Sequence, residues 1–544
     1  MSQTEGSHCS QESDRPEAMR PEVLRPVVTA DQMRAIEDRI FAAGMPVPAL
    51  MEKVAGLITQ FLLQHYPKTQ YPQVGVLVGS GHNGGDAIVV ARELHLQGYQ
   101  VIVCSPFSRH RDLTATHLRY VQSLGIRCIL DEAQLHSCDL IVDGLFGVGI
   151  SRPLEGAIAD LVNTVNQFTC PIVSIDLPSG LHSDTGEVMG TAIRADRTLC
   201  LGLWKQGLLQ EASLPWSGEV TLLDFGIPQT DITAVLGESL TVQRVSLPWA
   251  IAPLTQPRPR STHKYEMGHL LLVVGSQRYA GAAILAARGA QASGAGMLSI
   301  AVPNSLKPLI LSQVPDALVL GCPEHLDGSM ADLCLHHPLR KYDAIACGCG
   351  LTQEATAVVR RLVDSKVRLI LDADALNILG DRAAEILSQR QALTVLTPHL
   401  GEFQRMFPAL PIDPCRISAV QQAAKQSGAI VLLKGARVAI ADAHGQTRII
   451  PESTAALARG GSGDVLTGLI GGLLAQPHVA DANATYTAID WVQSAAWWHA
   501  QAGIRAAQAR SERGVDPMTL TTWLCPTLAS LSAKPNSIAH QDGV

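Results

Sequence analysis

The apolar run Val74-Gly-Val-Leu-Val78 leads directly into Gly79-Ser-Gly-His-Asn-Gly-Gly-Asp86, and this stretch predicts the fold around it. A short apolar strand that ends in a glycine-rich turn and then enters a helix is typical of a parallel α/β sheet. Glycines let the backbone approach a ligand, and a helix start favours phosphate. A second turn, Gly460-Gly-Ser-Gly-Asp464, stands directly before the apolar segment Val465–Ile470. We therefore expect two sites, each for a phosphate-bearing ligand.

Two series of short apolar runs, separated by helix-like stretches, extend outward from these turns. The first series comprises Val74–Val78, Gln100–Cys104, Asp139–Val142, Pro171–Ile175, Thr198–Gly202 and Val220–Asp224. The second comprises Gly268–Val274, Met297–Ala301, Ala344–Ala346, Leu369–Leu371, Leu393–Leu396 and Ile430–Leu433. The alternation of apolar runs and helix-like stretches stops between the two series, where Pro253–Arg260 is proline-rich and polar. We predict an α/β protein of two domains, over 25–228 and 248–530, with a linker at 229–247 and polar tails at 1–24 and 531–544.

Composition excludes several classes of protein. Apolar residues make up 47% and charged residues 17% of the 544 residues, which is typical of a well-buried globular chain. The 42 basic and 49 acidic residues include no basic block, so we expect no nucleic-acid partner. No apolar stretch approaches the roughly eighteen residues of a membrane span, and the polar start carries no secretory signal. Twelve cysteines without a C-x-x-C spacing fit a reducing compartment. We therefore expect a cytoplasmic protein without a membrane partner.

The first glycine-rich turn formally matches the G-x-G-x-x-G fingerprint of dinucleotide-binding proteins. That fingerprint also needs an acid at the end of the next strand, and none follows until Asp112, which disfavours a hydride-transferring dehydrogenase. Two carboxylate turns, Asp143–Gly149 and Asp176–Gly180, follow later strands and should meet the glycine-rich turn at one crevice. Asn83, Asp143 and Ser179 offer oxygen ligands for a hard cation, and Asp176 offers an acid or base.

As a set, GSGHNGGD, DGLFGVG and DLPSG resemble the epimerase domain of NAD(P)H-hydrate repair enzymes, over residues 25–228 in a Rossmann-like parallel sheet. The resemblance implies interconversion of the R and S epimers of hydrated NADH and NADPH (NADHX and NADPHX), with K⁺ held by Asn83, Asp143 and Ser179. It implies that the substrate contacts His82, Asn83, Gly84, Gly85, Asp86, Gly147, Val148, Gly149, Ile150, Ser151, Arg152, Pro153 and Asp176, the last being catalytic. His82 replaces a common asparagine of the family, and Ala87 replaces a glycine.

The second turn lies among loops that also follow predicted strands. They are Asp372–Asn377, Thr397–Glu402 and Lys434–Arg437, while the G-x-x-x-x-G-K-[ST] phosphate loop is absent from the sequence. Lysine supplies a cation beside the turn, and Asp464 can face a substrate hydroxyl. In phosphoryl transfer such a carboxylate orients or deprotonates the attacking oxygen.

DADALN, TPHLGEF, KGA and GSGD together resemble the ADP-dependent NAD(P)H-hydrate dehydratase, a ribokinase-like α/β domain, over 248–530. The resemblance implies that ADP phosphorylates the ring hydroxyl of the hydrate, and that elimination then gives NAD(P)H, AMP and phosphate, with Mg²⁺ present. By motif, the nucleotide would contact Lys434, Gly435, Ala436, Arg437, Val438 and Gly463. The hydrate would contact Ala282, Gly350, His399 and Asp464, with Asp464 as the catalytic base. Thr352 stands where the family has a glycine.

Two alternative hypotheses remain from the sequence. One is a ribokinase-class small-molecule kinase with an accessory dinucleotide-binding domain, and the other is a non-catalytic binding module in the first half. The preference for ADP over ATP rests on resemblance to bacterial-type members. We expect a homo-oligomer, although the apolar helical segment Leu50–Ile58 has a core role as its favoured interpretation. The expected partners are therefore small molecules: NADHX, NADPHX and ADP.

Overall fold

The computed structural model describes residues 20–258, 260–479 and 484–532. The polar tails predicted at 1–24 and 531–544 lie mostly outside these residues. The described chain divides into two compact units. The first contains the residues up to Leu208 together with Ser213–Glu238, and the second contains Leu209–Ala212 and the residues from Ser239 onward.

The first unit is built on a seven-stranded parallel sheet. Its helices are α1 (Pro21–Leu24), α2 (Ala30–Ala42), α3 (Val47–His65), α4 (His82–Leu96), α5 (Asp112–Ser123), α6 (Ala157–Val165), α7 (Leu214–Ser217) and α8 (Gln229–Leu236). Its strands are β1 (Val27–Val28), β2 (Gln73–Val78), β3 (Gln100–Cys104), β4 (Arg127–Ile129), β5 (Leu140–Gly144), β6 (Ile172–Ile175), β7 (Arg197–Leu201), β8 (Trp204–Lys205) and β9 (Glu219–Leu223). The sheet order is β4-β3-β2-β5-β6-β7-β9, while β1 and β8 form a separate parallel pair.

This topology positions the first site. The chain runs outward from β2 to β3 and β4, and then returns to place β5 on the other side of β2. The carboxyl ends of β2 and β5 therefore flank a switch in strand order, which is where parallel sheets open a ligand crevice. All six strands predicted for this half are confirmed to within two residues at either end. Five of them are largely buried, whereas only Leu222 is buried in the edge strand β9, and each shows its apolar run in the sequence. The half-buried edge strand β4 lacks that signal and was missed.

The second unit contains a ten-stranded mixed sheet. Its helices are α9 (Leu247–Ile251), α10 (Ala280–Ser293), α11 (Lys307–Gln313), α12 (Thr356–Val363), α13 (Asp374–Leu379), α14 (Ala383–Leu387), α15 (Leu400–Met406), α16 (Arg416–Ser427), α17 (Ser462–Leu474), α18 (Ala488–Arg510) and α19 (Pro517–Ser532). Its strands are β10 (Val242–Arg244), β11 (His269–Val273), β12 (Met297–Pro303), β13 (Leu318–Cys322), β14 (Ala344–Cys347), β15 (Arg368–Leu371), β16 (Thr394–Leu396), β17 (Ile430–Leu433), β18 (Val438–Ala441) and β19 (Thr447–Ile450). The order is β10-β19-β18-β17-β16-β15-β14-β11-β12-β13, with β18 antiparallel to both its neighbours.

The segment 229–247 is more ordered than a linker. It contains helix α8 and strand β10, and β10 pairs in parallel with β19 at the edge of the second sheet. Three residues of strand give too short an apolar pattern to be recognised in the sequence. The structure therefore brings part of the predicted linker into the second unit.

The core of the second unit surrounds the apolar helix α17. Gly468 lets α17 approach α10, because a Cβ there would lie 1.8 Å from the carbonyl oxygen of Ala286. Its neighbour α18 contributes Trp497 and Trp498, both buried, to the same core. None of the helices in the described ranges is long and apolar enough to cross a membrane. The close packing fixes the N-terminal turn of α17, and hence Asp464, against the strand ends.

Candidate functional sites

The first unit contains a cavity of about 880 Å³ at the carboxyl ends of its strands. Its wall includes eight of the predicted substrate residues, namely His82, Asn83, Asp86, Gly147, Val148, Gly149, Ile150 and Asp176. Ser151, Arg152 and Pro153 are exposed and do not line it. The structure thus brings three of the sequence motifs to one cavity.

The glycines of the first turn have two different roles. A Cβ at Gly79 would lie 1.8 Å from the carbonyl oxygen of Leu145, and one at Gly84 would lie 2.0 Å from that of Gly79. Gly84 and Gly85 are buried and face neighbouring protein, so they permit packing of the turn and do not line the cavity. Helix α4 follows Gly81, which has no capping side chain. The first N–H groups of the helix are therefore the anion-binding feature of this turn.

Asp176 is held at the end of β6 in a strained backbone conformation, with φ of 68°. Its Oδ1 lies 2.5 Å from Lys205 Nζ and accepts a hydrogen bond from the Leu201 amide at 3.3 Å. Its Oδ2 accepts one from the amide of Val148, also at 3.3 Å. Lys205 is buried, which by itself lowers its pKa, but the Asp176 charge raises that pKa above its usual range. Lys205 therefore stays charged and pairs with Asp176.

The residues predicted to hold K⁺ form an oxygen-rich group beneath the cavity. Asp143 is fully buried and accepts hydrogen bonds from the Ser179 hydroxyl at 2.6 Å and the Ser174 hydroxyl at 2.7 Å. Ser179 Oγ also lies 3.3 Å from the carbonyl oxygen of Phe146. The buried Nδ2 of Asn83 has no hydrogen-bond partner among the described residues, so its amide is free to turn an oxygen toward a cation. A buried carboxylate with hydroxyl, carbonyl and amide oxygens nearby fits a hard monovalent cation.

The cavity also contains charged residues that the motifs did not indicate. Glu37 and Asp38 on α2 line it, as does Lys205 on β8. Burial raises the pKa of Glu37 to about 7, despite the opposing charge of Lys205. Burial, with the nearby charges of Asp176 and Glu37, raises the pKa of Asp86 well above its usual range. Helix α2 carries no motif, so its acids could not be assigned from sequence, whereas Lys205 follows β7 and could have been noticed there.

In the second unit, Asp464 lies in the first turn of α17. Burial, and then the nearby charge of Asp372, raise the pKa of Asp464 to about 7, although the Cys349 thiol hydrogen bond and Lys434 oppose this. His499 on α18 supports the turn, with its Nε2 lying 3.0 Å from the carbonyl oxygen of Ser462. A carboxylate with a pKa near neutral at a helix N-terminus suits a general base.

Lys434 and Asp372 form a buried pair beside Asp464. Lys434 Nζ lies 2.6 Å from Asp372 Oδ1, and Asp372 Oδ2 accepts a hydrogen bond from the Thr467 hydroxyl at 2.6 Å. Burial lowers the pKa of Lys434, but Asp372 and Glu402 more than offset it, so the pKa is raised. A Cβ at Gly463 would lie 3.4 Å from Lys434 Nζ. The ammonium group therefore faces the glycine-rich turn, although Asp372 was not among the predicted site residues.

The remaining nucleotide-loop residues differ in exposure. Gly435 and Ala436 are exposed and Val438 begins β18, so the loop between β17 and β18 lies at the protein surface. The Arg437 guanidinium instead donates to the carbonyl oxygen of Pro451, and burial lowers its pKa to about 10. The structure thus places the Arg437 side chain inside the protein, while its backbone N–H donates to Glu211 Oε1 at 3.2 Å.

The predicted hydrate contacts lie in two places. Gly350 has φ of 67°, and a Cβ there would lie 2.9 Å from the Ala282 Cβ, so these two residues are neighbours. His399 caps α15, where its Nδ1 accepts from the Gly401 amide at 3.0 Å. The exposed ring of His399 is therefore fixed by a structural role. Over the described residues, no three His, Cys, Asp or Glu side chains form a metal-binding group.

Comparisons with known proteins agree with this division. A family model described as NAD(P)H-hydrate dehydratase matches residues 270–525, and one described as YjeF-related protein N-terminus matches residues 47–207. The bifunctional NAD(P)H-hydrate repair enzyme of Thermosynechococcus vestitus is 51% identical, over 92% of this chain and 97% of its own. The enzyme of the same name from Synechocystis is 50% identical, over 92% and 94%.

A solved structure of ADP/ATP-dependent NAD(P)H-hydrate dehydratase from Bacillus subtilis, co-crystallised with ATP/Mg²⁺, is also similar. It is 30% identical and covers 53% of this chain and 98% of that chain, with a TM-score of 0.46. The whole-length identity to the two curated relatives, with both motif sets in place, establishes the family. This chain belongs to the bifunctional NAD(P)H-hydrate repair enzymes.

Proposed function

We propose that the chain repairs hydrated NADH and NADPH in two steps, as an isomerase and a hydro-lyase. The unit at 25–228 interconverts the R and S epimers, and the unit at 248–530 dehydrates the S epimer at the expense of ADP, releasing AMP and phosphate. The observation that carries this is Asp464, a carboxylate with a pKa of about 7 in the first turn of α17, beside the Lys434 ammonium. A base and a cation at a helix start are what phosphorylation of a hydroxyl requires.

In the second site, Asp464 takes the proton of the ring hydroxyl as that oxygen attacks the terminal phosphorus of the nucleotide. Lys434 and the N-terminal amides of α17 face the transferred phosphoryl group and offset its charge. Gly463 leaves room for this approach, since the nearest atoms to a Cβ there would be those of Lys434 and Asp372. Mg²⁺ would be held mainly by the phosphate oxygens of the nucleotide and by water, and it would offset the charge of the phosphates. Loss of the resulting phosphate, together with a proton from the neighbouring ring carbon, then restores the ring double bond.

In the first site, Asn83, Asp143 and Ser179 would hold K⁺, which would supply positive charge near the substrate. The α4 start and the turn 147–150 contact the hydrated dinucleotide, while Asp176 faces the reacting ring. Lys205 Nζ pairs with the Asp176 carboxyl group at 2.5 Å and fixes its position. Asp176 therefore acts as a fixed negative charge or proton acceptor next to the carbon that inverts.

The test of the second activity uses hydrated NADH and ADP, with the recovery of NADH followed by its absorbance and AMP measured separately. Wild type is expected to form NADH and AMP in equal amounts, and Asp464→Asn to lose 10²–10⁴-fold in turnover with little change in substrate binding. Asp364→Asn, which changes an exposed carboxylate after α12, is the matched control. A parallel reaction with ATP determines the nucleotide preference. Nucleotide consumption without NADH formation would instead favour the small-molecule kinase.

The oligomeric state and the location of the protein are further parts of this proposal. We infer a homo-oligomer in the cytoplasm, consistent with twelve cysteines that lack a C-x-x-C spacing. Light scattering of the purified chain tests the first statement, and fractionation of the source cells tests the second. A monomer at micromolar concentration would contradict the oligomer.

A further inference from the structure

Four carboxyl groups, those of Glu37, Asp38, Asp86 and Asp176, line the cavity of the first unit together with the Lys205 ammonium group, and they are not equivalent. Asp176 is engaged by Lys205 Nζ and by two backbone amides. Glu37, on helix α2, lines the same cavity, yet within the described residues no side chain forms an ion pair or hydrogen bond with its carboxyl group. Asp86 lies at the α4 side of the cavity. Glu37 is thus an acid that lines the cavity and whose carboxyl group makes no ion pair or hydrogen bond with a side chain of the described residues.

Protonation distinguishes Glu37 further from its neighbours. Burial raises its pKa to about 7, so both forms are populated near neutral pH. The pKa of Asp86 is raised well above its usual range by burial, which favours its neutral form. Lys205 remains charged beside Asp176. The groups that act on the Glu37 charge are Lys205 on β8, Asp176 after β6, Asp86 on α4, and Asp38 and Arg34 on its own helix.

The chemistry of the substrate requires a group that both gives and takes a proton. Hydration of reduced nicotinamide adds water across an enamine, so the hydroxyl is on the carbon bonded to the ring nitrogen. Inversion at this carbon proceeds when the hydroxyl leaves and water returns on the other face. A hydroxyl departs far more readily as water than as hydroxide, and the water that returns must lose one proton.

We propose that Glu37 is the proton-exchanging catalytic residue of the first site, acting on the departing hydroxyl and on the returning water. The inference rests on the proposed epimerase function of this unit. Glu37 gives its proton to the hydroxyl oxygen, the C–O bond breaks, and the nitrogen lone pair forms a C=N bond. Water then adds to the opposite face, the C=N pair returns to nitrogen, and the excess proton returns to the Glu37 carboxylate. Each inversion consumes and releases one water and leaves Glu37 protonated again.

Asp176 has a defined part in this sequence. The ring is positively charged while the C=N bond exists, and the Asp176 carboxylate, which Lys205 holds in place at 2.5 Å, stabilises that charge. The two acids therefore divide the work, with Asp176 as the fixed charge and Glu37 as the mobile proton. These two roles explain why Asp176 is paired with Lys205, whereas the carboxyl group of Glu37 has no such partner among the described residues.

The experiment measures exchange of R and S hydrate by the full-length protein without added nucleotide, in H₂¹⁸O. Glu37→Gln is compared with wild type, with Glu37→Asp, and with Glu52→Gln, a change to an exposed ion pair with Arg92 that does not line the cavity. Wild type is expected to incorporate one ¹⁸O per inversion. Its turnover should fall about tenfold per pH unit above about pH 7, as the protonated form of Glu37 is lost.

Glu37→Gln is expected to lose at least 100-fold in turnover and in ¹⁸O incorporation together, with KM within about threefold. Glu37→Asp should keep part of both rates, and Glu52→Gln should keep all of them. Turnover of Glu37→Gln within threefold of wild type would overturn the proposal, as would a loss confined to KM. A wild-type profile that is flat between pH 6 and 9 would also overturn it, even if the variants do not fold. Wild type that exchanges no epimers would refute the epimerase function itself.

Discussion

The raised pKa of Asp464 predicts that the dehydratase site is built at a cost in stability. Its pKa is about 7 in the folded protein against 3.8 ordinarily, because the carboxyl is buried and faces Asp372. Between these two values the folded state binds more protons than the unfolded state, so stability falls as pH rises through that window. A pKa shift of about three units corresponds to about 4 kcal/mol of folding stability, all of which is lost above pH 7. Replacing Asp464 by Asn removes the charge and therefore this penalty.

We expect Asp464→Asn to raise the free energy of unfolding by up to about 4 kcal/mol at pH 8, and not to raise it at pH 4. Guanidinium unfolding followed by tryptophan fluorescence is a suitable assay. Five of the seven tryptophans belong to the second unit, namely Trp249, Trp491, Trp497, Trp498 and Trp523. Asp364→Asn, at an exposed position, should show no such dependence on pH. An equal increase in the free energy of unfolding at both pH values, or no increase at either, would refute the reasoning.

Further predictions concern the turns and their partners. Asp372→Asn should lower the pKa of Asp464 and move the acid limb of the dehydratase pH profile downward, and an unshifted limb would contradict the like-charge effect. Gly84→Ala should abolish epimerisation and lower the melting temperature, because its Cβ would lie 2.0 Å from the Gly79 carbonyl oxygen, whereas Gly56→Ala, on α3 and outside the cavity wall, meets no atom within 4 Å and serves as the control. Ser179→Ala should weaken the dependence of epimerase activity on K⁺ in a titration against Na⁺, and an unchanged K⁺ midpoint would remove Ser179 from the cation site. Dehydratase turnover of wild type should rise about tenfold per pH unit up to about pH 7 and then level off.

The strands and motif positions were accessible from sequence for a physical reason. A strand buried on both faces must be a continuous apolar run, and Gln100–Cys104 and Ile430–Leu433 have the bounds that the sequence predicted. The need for glycine at position 84 is equally local, since a Cβ there would meet the carbonyl oxygen of Gly79, whereas Gly79 is required by the distant carbonyl oxygen of Leu145, which follows β5. Three-residue edge strands such as β10 and β4 lack this signal.

Side-chain partners were not accessible in the same way, because they join residues far apart in the chain. The sequence by itself determined that the chain contains two series of strands alternating with helices, and that each series includes a glycine-rich turn that ends in an aspartate. Periodicity and turn chemistry are local properties, so the sequence shows both. Only the tertiary structure decided that Lys205 pairs with Asp176, that Asp372 lies beside Asp464, and that Glu37 from a helix without a motif enters the first cavity. The proton affinity of a side chain depends on its burial and on the charges beside it. Burial and neighbouring charges are both set by packing between distant parts of the chain.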